Sequence, residues 1–73
     1  MGKLRKLSGS QICQILERHE FRRVRQRGSH IVMQRSVGSG TITVPVPNHK
    51  QVRTGTLISI IRQSRVPREE FEE

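Results

Sequence analysis

The stretch RQRGSHIVMQR, residues 25–35, places His30 directly after a Gly-Ser pair and between arginines. Cutting an RNA link asks for a base to take the proton of the ribose 2′-hydroxyl and an acid to protonate the departing 5′-oxygen. It also asks for fixed positive charge facing a phosphorane-like transition state. Imidazole, with an unperturbed pKa of about 6.5, suits both proton transfers at neutral pH. Guanidinium groups, here Arg25 and Arg27, bring charge and forked donors that match phosphate oxygens. Gly28 removes a side chain where the backbone takes a positive φ or a substrate comes close, and Ser29 is placed to cap the turn or bind a phosphate oxygen. RNA carries its own nucleophile, so this chemistry calls for no cofactor, metal or cysteine. Spacing alone, however, equally describes an ordinary half-exposed histidine at the mouth of a strand.

The remaining reactive side chains are few. His49 in VPNHK reads as an acid partner, as a phosphate contact together with Lys50, or as a plain loop histidine. His19 falls near the end of a helical pattern, where it complements the helix dipole, and reads as structural. The three histidines lack the paired spacing and carboxylate support of a metal site. Cys13, the sole cysteine, excludes an internal disulfide and a cysteine-based zinc cluster, and reads as a small packing residue.

A chain of 73 residues has room for one domain, residues 1–73, which buries roughly 60% of the surface its unfolded form exposes. Its active site, if it has one, is therefore shallow. The net charge of +8, with most acids gathered at the C-terminus, favours a polyanionic partner, because each phosphate contact releases counterions without needing a pocket. A basic surface kept only for solubility is the plain alternative. No apolar run reaches the ~18 residues of a membrane span, and MGKLRKLSGS lacks the apolar stretch of a signal peptide, so a cytoplasmic protein without membrane contact is expected.

The positioning elements follow from periodicity. Ser8 and Gln11 have capping-box spacing, and Ile12, Ile15, Leu16 and His19 follow at helical intervals, predicting a helix over about 10–19. Residues 21–26 and 30–35 read as two strands of a hairpin around Gly28-Ser29. TITVPVP alternates cleanly and forms a third strand, at an edge because Pro45 lacks a ladder donor. SVGSG reads as a small flexible link. A second helix runs from 54 or 56 to about 64 with Leu57, Ile60 and Ile61 as its apolar stripe; Pro67 opens a short helical turn anchored by Phe71, and the acidic end reads as frayed.

The predicted fold is α+β, in the order α-β-β-β-α: a three-stranded antiparallel sheet with both helices on one face. So few apolar residues cannot supply core to two faces. Parity then points Val24, Ile31, Met33, Ile42, Val44 and Val46 at the helices. Arg23, Arg25, Arg27, His30, Val32, Gln34, Thr41 and Thr43 point to the open face. Phe21 falls on the arginine parity, and a bulge or the helix-to-strand bend is needed to turn it inward.

VRQRGSHIVMQR, followed by TVPVPNHKQVRTGTLISIIRQSRVPREEF, resembles the HicA toxin family of toxin-antitoxin pairs, over nearly the whole chain. The resemblance implies a double-stranded RNA-binding-domain-like fold, mRNA cleavage, and restraint by a HicB-type antitoxin protein. It places the family's essential histidine at His30, with Gly28 and Ser29 completing the motif. One departure stands out: where the family commonly has Gly before a Phe, this chain has Glu20 before Phe21. Glycine there would end the helix in the left-handed conformation, and Glu costs about 1 kcal/mol if held in the same geometry.

The expected function is thus a metal-independent endoribonuclease toxin. Its catalytic residue is His30; Arg25, Arg27, Gly28, Ser29 and Lys50 contact RNA, and Arg23 and Arg35 help. A non-catalytic double-stranded RNA-binding module is the rival, and a protein whose charge serves only a protein partner is a third reading. A DNA recognition helix is poorly supported, since TGTLISIIRQSR is mainly apolar. The near absence of aromatics argues against a base-stacking platform.

Overall fold

The computed structural model describes residues 2–73. Helix α1 (Gly9–Arg18) leads into strands β1 (Arg22–Arg27), β2 (His30–Val37) and β3 (Gly40–Pro47), then helix α2 (Thr54–Ser64) and a 3-10 turn (Arg68–Phe71). The strands pair antiparallel in the order β1-β2-β3, so β3 with its two prolines lies at an edge.

Helix α1 starts where the capping box predicts. The Ser8 hydroxyl accepts from the Gln11 amide at 3.1 Å and the Gln11 side chain accepts from the Ser8 amide at 2.9 Å. Its periodic residues Ile12, Ile15 and Leu16, with Cys13, are buried. They meet Ile31 and Met33 of β2, Ile42, Val44 and Val46 of β3, and Leu57 and Ile60 of α2 in one core cluster. Each such side chain contributes roughly 1.5–3 kcal/mol by leaving water. The opposite face of the sheet carries no helix.

Both hairpin turns are two residues long. Gly28 (φ +58°) joins β1 to β2 and Gly38 (φ +49°) joins β2 to β3, while the serine after each keeps a negative φ. That is the dihedral pattern of a type II′ turn, which matches the twist of paired strands. The link expected as flexible is thereby shortened: β2 runs to Val37, and only Gly38 and Ser39 lie outside the ladder.

Two details carry into the site. First, Glu20 does take the left-handed conformation, at φ +73°. The Glu20 amide donates to the Glu17 carbonyl and the Phe21 amide to the Leu16 carbonyl, the bond pair of a Schellman ending. Leu16 and Phe21 are both buried beside it. Second, β1 contains the expected bulge. Arg23 pairs with Met33 and Arg25 with Val32, which leaves Val24 as the extra residue. One inserted residue inverts the parity of everything before it, and Phe21 accordingly turns inward to 2% exposure.

The C-terminus is tied down, not frayed. Phe71 is buried in the core. The Arg5 amide donates to the Phe71 carbonyl at 2.9 Å and the Glu73 amide to the Lys3 carbonyl at 2.8 Å. The Glu72 carboxylate accepts from Arg68 Nε at 2.7 Å and from the Gly2 amide at 3.1 Å. The two chain ends thus clasp each other, because Phe71 needs a fixed backbone to stay in the core.

Candidate active site

His30 opens β2 directly after the Gly28-Ser29 turn, and its side chain is exposed on the sheet face that no helix covers. Its ladder partners are Arg27 on β1 and Pro47 on β3. Residues directly opposite in an antiparallel ladder share a face, with Cβ atoms about 4.5–5.5 Å apart. Arg27 is therefore the arginine whose side chain leaves the sheet beside that of His30. Arg25, opposite Val32, is next along the same face.

The bulge decides which other arginines join them. Arg23, expected beside Arg25, instead shares the helix side with Met33, and its Nε lies 3.5 Å from a Glu17 carboxylate oxygen of α1. Arg22, to which the sequence reading gives no role, pairs with Gln34 and takes the open face in its place. The signal for this exchange was the misplaced parity of Phe21. Arg35 is also removed from the site: five residues along an unbroken strand from His30, it pairs with Ile42 on the helix side. Val24, expected in the core, is 37% exposed at the bulge. Val32, expected on the open face, does lie there by register yet is only 7% exposed. It sits in the middle strand, with Arg25 opposite on one side and Pro45 on the other, and a long arginine stem is able to cover apolar surface of this kind.

A second segment reaches the turn from below. The Asn48 amide donates to the Ser29 carbonyl at 2.6 Å, and the Gly9 amide donates to the His49 carbonyl at 2.9 Å. Next along, the Val52 amide donates to the Leu7 carbonyl at 2.8 Å. Residues 48–52 are thus a strap held between the His30 turn and the start of α1. A Cβ at Gly9 would overlap the Pro47 carbonyl oxygen, so the close seating of this strap requires glycine there. The strap leaves the side chains of His49 and Lys50 exposed. Gly28 has open space where a Cβ would point, so its role is the positive φ. Gln26 adds a 3.2 Å bond from its side-chain amide to the Gly28 carbonyl.

The other candidates stand apart. His19 Nε2 lies 3.1 Å from a Glu70 carboxylate oxygen, joining α1 to the terminal turn. Cys13 is buried in the core, and desolvation pushes its thiol above the ordinary range, against a smaller lowering by Arg23. Among the described residues no three His, Cys, Asp or Glu gather as a metal-binding group, and no helix is long and apolar enough to cross a membrane.

The site is an open cationic surface with the exposed His30 imidazole at its end, built on a Gly-Ser turn and a VPNHK strap that carries a second exposed imidazole, His49. A family model described as the HicA toxin of bacterial toxin-antitoxin pairs matches residues 9–66. The chain belongs to the HicA toxin family. No curated protein and no solved structure matches it. The HicA match begins with α1 and ends at Val66, so it contains the His30 turn, the strap and both helices and stops short of the turn that carries Phe71. The departure at Glu20 lies inside the match, and the backbone there keeps the left-handed geometry that glycine would hold.

Proposed function

We propose that this HicA toxin is a metal-independent endoribonuclease that cleaves mRNA in the cytoplasm, acting as a single domain with His30 as its catalytic residue. In the step this requires, the 2′-oxygen bonds to phosphorus as its proton leaves. The bond from phosphorus to the 5′-oxygen breaks, and that oxygen gains a proton. The products are a 2′,3′-cyclic phosphate and a 5′-hydroxyl. An exposed imidazole at position 30 exchanges a proton with one of these oxygens and solvent water with the other, while Arg27 and Arg25 face the charge on phosphorus. Gly28 and Ser29 shape the turn, and Lys50 supplies a further cation from the strap.

The observation that carries this reading is the ladder pairing of His30 with Arg27 on the uncovered face. A HicB-type antitoxin would neutralise the toxin by covering this face, and the charge of +8 fits an acidic covering segment. The test compares wild type with His30→Ala on mRNA in EDTA, with folding of both checked by circular dichroism. Cleavage by wild type alone is expected. Equal cleavage by both removes His30 from the mechanism. No cleavage by either, joined to a preference for duplexes over single strands, supports a non-catalytic RNA-binding module instead.

A further inference from the structure

Three arginines on the open face have no side-chain hydrogen bond or ion pair among the described residues, and they stand in a line. Arg22 is opposite Gln34, Arg25 opposite Val32, and Arg27 opposite His30. Their partners on β2 are each two residues apart, so the three positions step along β1 at even intervals of about 6.8 Å. Val24 makes the spacing even: Arg22 and Arg25 are three residues apart in the chain and two apart in the ladder. The same bulge that buries Phe21 therefore also sets an arginine at each outward step.

A single nucleotide strand has a matching repeat. Six single bonds of about 1.5 Å separate successive phosphorus atoms, and their zigzag spans about 6 to 7 Å when the chain is extended. We infer that Arg22, Arg25 and Arg27 bind three successive phosphates of one RNA strand lying along β1, with the link to be cut at the His30 end. This rests on the proposed ribonuclease reading and adds a register to it. Arg25 and Arg22 lie on the same side of His30, so the phosphates they hold extend the grip in one direction from the reacting link. Arg23 takes no part, being turned to the helix side and engaged by Glu17.

The test uses a 2′-O-methyl oligoribonucleotide, which cannot supply the nucleophile, and reads affinity against salt concentration. Arg22→Ala, Arg25→Ala and Arg27→Ala should each flatten the slope of log K against log salt by about 0.7, the value of one single-strand phosphate contact. Arg23→Ala should keep the wild-type slope. A neutral methylphosphonate walked along the oligonucleotide should weaken binding at three consecutive links, and Arg22→Ala should abolish the sensitivity at one end of that run. A wild-type slope for Arg22→Ala, or an Arg23→Ala loss as large, overturns the ladder. If the slopes come out as expected while cleavage is indifferent to His30→Ala, the proposed catalysis fails and the ladder stands. If cleavage needs His30 while Arg22→Ala keeps the wild-type slope, the ladder alone fails.

Discussion

The Asn48 amide donates to the Ser29 carbonyl across 2.6 Å, and so couples the residue before His30 to the residue before His49. Neither segment is held in place by the helical core alone. The hairpin turn protrudes from the sheet, and the strap is fixed from the other side by the Gly9 amide on the His49 carbonyl. The position of the imidazole thus depends on how closely α1 approaches residues 47–49.

Gly9→Ala tests that dependence. The added methyl would overlap the Pro47 carbonyl oxygen and press on Asn48 backbone, and backbone yields less easily than a side chain. A loss of about 1–3 kcal/mol in chemical denaturation is expected. The RNA cleavage rate should fall by more than the folded fraction explains, because the strap moves with the turn. Full activity in the folded fraction would show that the strap does not position His30.

Gly28 separates conformational need from crowding. A Cβ at this position meets nothing within 4 Å, but the φ of +58° is costly for other residues. Gly28→Ala should therefore cost about 1–2 kcal/mol, and Gly28→Asn less, since asparagine enters the left-handed region more readily. If both variants fold stably but lose RNA cleavage, the open space at Gly28 is where the substrate approaches.

Glu20→Gly should stabilise the fold. Glutamate holds φ +73° in the Schellman ending of α1, a site where glycine avoids the Cβ penalty, which outweighs its greater freedom in the unfolded chain. A gain of roughly 0.5–1 kcal/mol in urea unfolding is expected, with cleavage unchanged, since the residue lies in the connection between α1 and β1, outside the ladder that carries His30. A loss of stability would mean that the Glu20 side chain makes a contribution the backbone geometry does not reveal.

Cys13 supplies a pH prediction. Its thiol is raised by burial in the folded protein, so the folded state retains the proton to higher pH than the unfolded state does. The corresponding stability is present below the unfolded thiol's pKa and is lost as pH rises through the folded one. Wild type should lose stability relative to Cys13→Ala across the alkaline range, and alkylation of the native thiol should proceed no faster than opening of the fold. Rapid alkylation at neutral pH would contradict the burial.

The local grammar of the chain was legible before any tertiary information. The Ser8-Gln11 box starts α1, Ile42, Val44 and Val46 form one side of β3, Gly28 sits where a turn needs positive φ, and the order α-β-β-β-α follows. His30 on the open face also follows from parity, because β2 is unbroken between it and Met33. So does the helix-side placement of Arg35, although its charge suggested otherwise. The anchoring of Phe71 was readable from its apolar character, but the clasp of the termini around it was not, since those hydrogen bonds join residues nearly the whole chain apart.

What the sequence by itself determined is which residues alternate, which turn and which cap, because those preferences act over a few neighbouring residues. Only the tertiary structure decided where β1 shifts its register, and hence that Arg22, not Arg23, shares a face with His30. The physical reason is that a bulge is placed by the competing demands of both ends of a strand. Phe21 must enter the core under α1 while Arg25 and Arg27 stay in water, and Val24 takes up the difference.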